Sequence, residues 1–341
     1  MSIRGDLTAR VNHLERLPDS VLLLVLNSIG DVKVLGRCCV VSRRFRSLVP
    51  QVENVLVRVD RVISDDGEDS SSASGSSSSP LAGLCRTVFT NIFKPLHALG
   101  QFLSPRRSSS VEPSQGGGVS HHSPTQVLNN FDEIKILRIE LPSAELGIDD
   151  GVLLKWRANF GSTLDNCVIL GANSSQIAVP GEIYDNGSIP ESLYTNGGLK
   201  LRVVWSISSL IGASARHYLL QPIIAKHQTL NSLVLTDADE QGVLCMNREQ
   251  LEEMRVKPLW ALHGSKRTMV PALNMRLWYA PLLELPGGVV LKGATLIAIH
   301  PSQDSGPDDL SWVAGAFEGP YGVAAMMLLK TKTYSLEMNS F

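Results

Sequence analysis

The sequence predicts a mixed α/β protein. A small all-helical N-terminal unit over 14–60 is followed by an irregular leucine-rich-repeat-like α/β domain over 126–341, with disordered linkers between them. Three observations predict this class. Residues 14–48 carry apolar residues at helical spacing, with caps and stops in place. The stretches 64–80 and 104–125 hold too few apolar side chains to build a core. Beyond residue 125, short strand-like apolar runs alternate with helix-like runs.

The N-terminal elements follow in order after a flexible start over 1–13. Pro18 suits the first helical position, where its missing N–H costs nothing. Val21, Leu22, Val25, Leu26 and Ile29 then share one helix face. Gly30 sits where a left-handed residue ends a helix, and Asp31 can cap the next. The second helix presents Val34, Leu35, Cys38 and Val41. Ser42 can cap a third, short helix carrying Phe45 and Leu48 among Arg43, Arg44 and Arg46, and Pro50 marks its stop. Leu23, Leu24, Val32, Cys39 and Val40 remain as apolar residues outside these stripes. That surplus is more than three short helices can bury, so the unit expects a partner.

The order Leu17-Pro18, Leu22, Val25-Leu26, Ile29, Leu35, Val41-Ser42-Arg43-Arg44-Phe45 and Leu48 resembles an F-box. The resemblance implies docking on a Skp-type adaptor, which links the chain to a Cullin ubiquitin-ligase scaffold. It also implies that Leu17, Pro18, Leu22, Val25, Leu26, Ile29, Leu35, Val41 and Phe45 make the adaptor contact. Ser20 stands where many members have Glu, and Phe45 where Trp is common. Both departures keep the local chemistry, a helix-start residue and an aromatic anchor.

Composition bounds the remainder. At 341 residues and 43% hydrophobic, the chain can bury a sizeable core and has room for two units. A net charge of −2 gives no nucleic-acid signal. Cys38, Cys39, Cys85, Cys167 and Cys245 are odd in number and lack metal or redox spacing, so reduced thiols in the nucleus or cytoplasm are expected. No run is long enough to span a bilayer, and the polar first residues lack a signal-peptide core.

Val55, Val57, Val59 and Val62 suggest a strand, although Leu56 and Ile63 blur its alternation. Asp65, Asp66, Glu68, Asp69 and a serine tract make 64–80 an acidic linker. Between this and the 104–125 linker, residues 81–103 form an amphipathic helix pattern interrupted at Pro95, with Leu81, Leu84, Val88, Ile92, Leu96 and Leu99 on one stripe. Folding back on the main domain is the plainer reading of that island. Docking to a partner or a membrane surface is the sharper one.

In the C-terminal region, Ile134-x-x-Leu137-x-Ile139, Leu164-x-x-Cys167-x-Ile169 and Leu230-x-x-Leu233-x-Leu235 share the spacing of a leucine-rich-repeat half-motif, with Leu291-x-x-Ala-x-Leu296 a weaker instance. The usual Asn or Cys ladder is mostly missing, so unrelated buried strands of an α/β domain fit equally well. Helices are expected over 206–220, bent or ended by Pro222, and after the capping-box spacing Asn247-x-x-Gln250. Strands are expected over 275–280 and 294–299. The tail from Tyr321 reads as a helix through Val323, Met326, Met327 and Leu329, then as a strand through Thr331, Thr333, Tyr334 and Leu336. Trp156, Trp205, Trp260, Trp278, Tyr279 and Trp312 suit interface hot spots, with core the expectation for most.

The sequence carries no motif for catalysis or for phosphate or metal binding. Gly264-Ser-Lys266 lacks phosphate-loop spacing, and no G-x-S-x-G elbow exists. His217, His227, His263 and His300 lack partners at ligand spacing. No catalytic residue, cofactor or metal is therefore expected. Leu17-Pro-Asp-Ser20, Val41-Ser-Arg-Arg-Phe45 with Val49-Pro50-Gln51, and Lys94-Pro-Leu through Leu99-Gly-Gln-Phe-Leu103 resemble the plant auxin up-regulated F-box group. That resemblance implies a non-catalytic receptor that holds a target protein for ubiquitination, with a role in auxin response. A scaffold that binds the adaptor, or a membrane through 81–103, without target turnover is the alternative.

Overall fold

One ten-stranded sheet organises the chain. The computed structural model describes residues 13–59, 128–142, 152–177, 198–257, 267–302 and 310–340. The 64–80, 81–103 and 104–125 segments, and the 1–13 terminus apart from His13, lie outside the described residues, as do Trp260 and His263.

Helices α1 (Asp19–Ile29), α2 (Val32–Val41) and α3 (Arg43–Leu48) lead into strand β1 (Asn54–Arg58). Strands β2 (Ile136–Leu141), β3 (Leu153–Phe160), β4 (Leu164–Ala172) and β5 (Ser174–Ile177) follow. The long helix α4 (Gly198–Lys226) precedes β6 (Ser232–Asp237), β7 (Gly242–Met246) and helix α5 (Arg248–Val256). The long strands β8 (Leu273–Leu285) and β9 (Val289–Pro301), helices α6 (Ser311–Ala314) and α7 (Gly319–Leu328), and strand β10 (Thr333–Met338) complete the order.

Strand order across the sheet is β1-β2-β6-β7-β3-β4-β9-β8-β10, with β5 extending along β9. The pairs β1–β2, β2–β6 and β3–β7 are parallel, and the others are antiparallel. This corrects the leucine-rich-repeat-like expectation. Stacked repeats would place successive strands side by side and parallel. Of the strands that carry the shared spacing, only β2 and β6 are parallel neighbours, with Leu137 opposite Leu233 and Ile139 opposite Leu235. Strand β4 runs antiparallel between β3 and β9. The shared spacing records alternate inward side chains, which any half-buried strand requires.

The helical unit joins this sheet directly. Strand β1 pairs with β2 along its length, so the residue-60 boundary follows an integral edge strand. Leu22, Leu26, Leu35 and Leu48 share one core with Val55, Val57, Leu137, Ile139, Leu233, Leu235 and the inner residues of α4 and α5. A second core lies on the opposite face. There Val168, Leu170, Leu283, Leu291 and Leu296 pack beneath Val313, Ala324, Ala325 and Leu328 of α6 and α7. Trp156, Trp205, Trp278 and Tyr279 are buried, and Trp312 is half-buried against the second core. The tryptophans therefore serve mainly as core.

Pro222 lies inside α4 and does not end it. Ile223 and Ile224 are buried one turn from Leu220, so packing outweighs the lost hydrogen bond. His217 is sealed in the same helix. Its Nδ1 lies 2.8 Å from Thr268 Oγ1, and its ring stacks on Phe160 at 4.6 Å. Burial lowers its pKa from 6.5 to about 4. Between those values the unfolded chain binds a proton that the folded chain excludes. The stability gained is complete above the unfolded value and is lost as pH falls, by roughly 3 kcal/mol over the whole window. Burial lowers the His227 pKa as well. Urea denaturation is expected to show a midpoint falling steadily from about pH 7 to about pH 4.5. His217→Asn, which keeps a group beside Thr268, should flatten that fall; an unchanged slope would refute the assignment.

Candidate functional site

The three N-terminal helices are closed by local hydrogen bonds that follow from their sequence. Gly30 takes φ 60° after α1, and its N–H donates to Leu26 O. Asp31 Oδ1 accepts from the N–H groups of Lys33 and Val34 at 2.9 and 3.1 Å. Ser42 Oγ accepts from Phe45 N–H at 3.1 Å. Pro18 is the residue before α1, and the helix proper starts at Asp19.

Longer contacts fix the helices to one another and to the sheet. Arg44 Nε donates to Asp19 Oδ1 at 2.7 Å, and its terminal nitrogen donates to Leu17 O at 2.5 Å. Asn27 Oδ1 accepts from the N–H groups of Glu53 and Asn54 at 2.8 and 3.1 Å. Leu56 N–H donates to Gly30 O at 2.9 Å, and Arg58 reaches Asp31 Oδ2 at 2.6 Å. The α1–α2 turn thus caps the β1 edge.

With the helices fixed this way, their apolar residues divide into two sets. Leu22, Leu26 and Leu35 are turned into the chain's own core, Leu35 completely. In the free chain these three hold the unit together, and the surface of the helices comes from other residues. Leu17, Ile29 and Phe45 are half-buried against that core. Pro18, Val25 and Val41 are exposed. Leu14, Val21, Leu24, Val34 and Val40 join them at the surface, with Leu24 at 68%, Val40 at 81% and Val41 at 76% exposure. The signal for Leu24 and Val40 is their place in the surplus outside the helical stripes.

These side chains form an apolar surface on short, well-capped helices, the kind of exposed patch that marks a protein contact. Arg37, one turn before Val41, and Arg43 and Arg46 on α3 are exposed beside it. A complementary partner therefore combines apolar pockets with acidic groups.

Cys39, Cys167 and Cys245 do not suit nucleophilic chemistry. Burial raises the thiol pKa of Cys39, Cys167 and Cys245, where an activated thiol needs it lowered. Among the described residues no group of His, Cys, Asp and Glu could hold a metal, and no helix is long and apolar enough to cross a membrane.

No family model and no solved structure matches the chain. Similar proteins are found in Arabidopsis thaliana. The chain is 64% identical to F-box protein At5g46170, over 98% of this chain and 95% of that protein. It is 61% identical to F-box protein At1g30200, over 97% of this chain and 94% of that protein. It is 34% identical to F-box protein AUF1, over 97% of this chain and 100% of that protein.

Proposed function

Because the chain belongs to the F-box protein family, we propose that it is the substrate-recognition subunit of an SCF-type ubiquitin ligase. Its N-terminal helices bind a Skp-type adaptor, and through it a Cullin scaffold. The sheet domain presents a target protein. The chain contributes no bond-making group. It raises the effective concentration of target near the enzyme that transfers ubiquitin. The resemblance to the auxin up-regulated group extends this reading to auxin response, in the nucleus or cytoplasm.

The carrying observation is the exposed apolar surface of α1 and α2, with Leu24, Val40 and Val41 in water beside Arg37, Arg43 and Arg46. Tagged full-length chain is expected to recover a Skp-type adaptor and a Cullin from plant extract. Raising salt should weaken recovery, because exposed arginines are screened. Arg37→Glu, Arg43→Glu and Arg46→Glu together should reduce adaptor recovery by about tenfold or more. Recovery equal to wild type in that triple variant, at low salt, would reject the proposed surface.

A further inference from the structure

Helix α3 carries a basic cluster around one exposed serine. The run Arg43-Arg44-Phe45-Arg46-Ser47-Leu48 places arginine one, three and four residues before Ser47. Ser47 is exposed, as are Arg43 and Arg46. Its Oγ donates to Arg44 O at 2.8 Å, and its carbonyl accepts from Gln51 Nε2 at 2.9 Å. The hydroxyl therefore ties no second element to α3. Among the exposed serines of the described residues, Ser47 alone follows an arginine by three positions. Ser20 has Leu17 there, Ser28 has Val25 and Ser335 has Lys332.

These arginines decide what a negative charge at Ser47 would do. Residues three and four apart share a helix face, so Arg43 and Arg44 lie within one turn of Ser47. Arg43 and Arg46 form no ion pair with a described carboxylate. Arg44 is already engaged, donating to Asp19 Oδ1 and to Leu17 O. A phosphoserine carries a charge of about −2 at pH 7 and three strong acceptor oxygens. At position 47 it would offset the charge of Arg43 and Arg46 and compete with Asp19 for Arg44. The exposed cations of α3 would then be spent within the helix and withdrawn from any partner.

We infer that Ser47 is a phosphorylation site for an arginine-directed serine kinase, and that its phosphorylation releases the adaptor. The inference rests on the reading of the N-terminal helices as the adaptor surface, where Arg37, Arg43 and Arg46 meet acidic groups, and it names the regulation of that site. In the transfer, Ser47 Oγ bonds to the γ-phosphorus of ATP, and the bond from that phosphorus to the β,γ-bridging oxygen breaks. ADP leaves, and the hydroxyl proton passes to the base of the kinase. Arginines at fixed spacing before a serine are what a kinase groove lined with carboxylates reads. Access needs local opening, because Leu48 beside Ser47 is buried. Helix α3 is six residues long and Ser47 is its next-to-last residue, so little structure has to open. An adaptor seated over α3 opposes that opening, so the free chain is the better substrate.

The test treats full-length chain, alone and in complex with a Skp-type adaptor, with ATP and a purified arginine-directed kinase, and locates phosphate by mass spectrometry. Ser47 is expected to be modified in the free chain, and severalfold more slowly in the complex. Chain phosphorylated at Ser47 should bind adaptor about tenfold or more weakly than untreated chain, and its binding should fall less steeply with salt. Serines of 64–80 and 104–125 offer other acceptors, so Ser47→Ala is the control. It should bind adaptor as untreated wild type does, before and after treatment. Ser47→Asp, with a smaller charge, should weaken binding in the same direction but less, with thermal unfolding close to wild type. Modification confined to other serines, equal affinity of modified and unmodified chain, an equal loss in treated Ser47→Ala, or a Ser47→Asp chain that loses binding only together with its fold would each overturn the inference. Failure of the untreated wild-type chain to bind adaptor counts against the function proposed above, while the location of phosphate on the free chain still decides the site.

Discussion

Replacing Val40 and Val41 together with aspartate should abolish adaptor recovery while changing the stability of the free chain by no more than about 1 kcal/mol. In the free chain both side chains are already in water, at 81% and 76% exposure, so a carboxylate there stays solvated and little packing is lost. In an adaptor complex the same carboxylates would be stripped of water against an apolar partner. Such desolvation costs on the order of several kcal/mol, a hundredfold or more in affinity. Leu35→Ala makes the contrast. Leu35 is fully buried, and removing its methyl groups should cost about 2–5 kcal/mol of stability and reduce binding only through the fold. Thermal unfolding read beside co-purification separates the two. If the Val40/Val41 variant recovers adaptor normally, the exposed surface of α2 does not contact it.

That contrast also explains what could be read in the sequence. Gly30, Asp31, Ser42 and the Asn247–Gln250 capping box act on backbone groups within a few residues, so local order revealed them. Which side of α1 faces inward depends on partners from elsewhere in the chain. Leu22 and Leu26 are buried because Val55 and Val57 of β1 and Leu137 and Ile139 of β2 close over the same core. The helical stripe separates Leu22 from Leu24 but also holds the exposed Val25, so the expected adaptor set spans core and surface. Strands β3 and β7 are illegible in the sequence for a related reason. Lys155, Arg157 and Asn159 alternate with Trp156, Ala158 and Phe160, so one side of β3 is polar. Strand β7 is five residues long. The parallel pairing that holds these two strands together joins residues far apart in sequence. Pro222 acts in the other direction: of the bend or stop it allows, the stop is overridden by buried Ile223 and Ile224.

The second large effect is expected at Arg216 and Asp237, which join α4 to the β6–β7 turn. Arg216 donates to Asp237 Oδ1 at 2.7 Å and to Gly242 O at 2.9 Å, and Asp237 Oδ2 accepts from Gly242 N–H at 3.0 Å. The guanidinium lies 4.7 Å above the Trp156 ring. Glycine is required at 242, because a Cβ there would come within 2.4 Å of that ring. Both charged side chains are almost wholly out of water, at 2% and 6% exposure. Asp237→Ala therefore leaves a buried guanidinium without its counter-charge, and Arg216→Ala leaves a buried carboxylate. Each should cost about 3–5 kcal/mol in urea denaturation. Replacing both, as Arg216→Met with Asp237→Leu, removes the stranded charge and restores apolar packing, so the double variant should be more stable than either single one. Its residual loss should reflect the Gly242 bonds and the Trp156 contact. A double variant as unstable as the two single losses added together would mean that the ion pair is not what couples α4 to the turn.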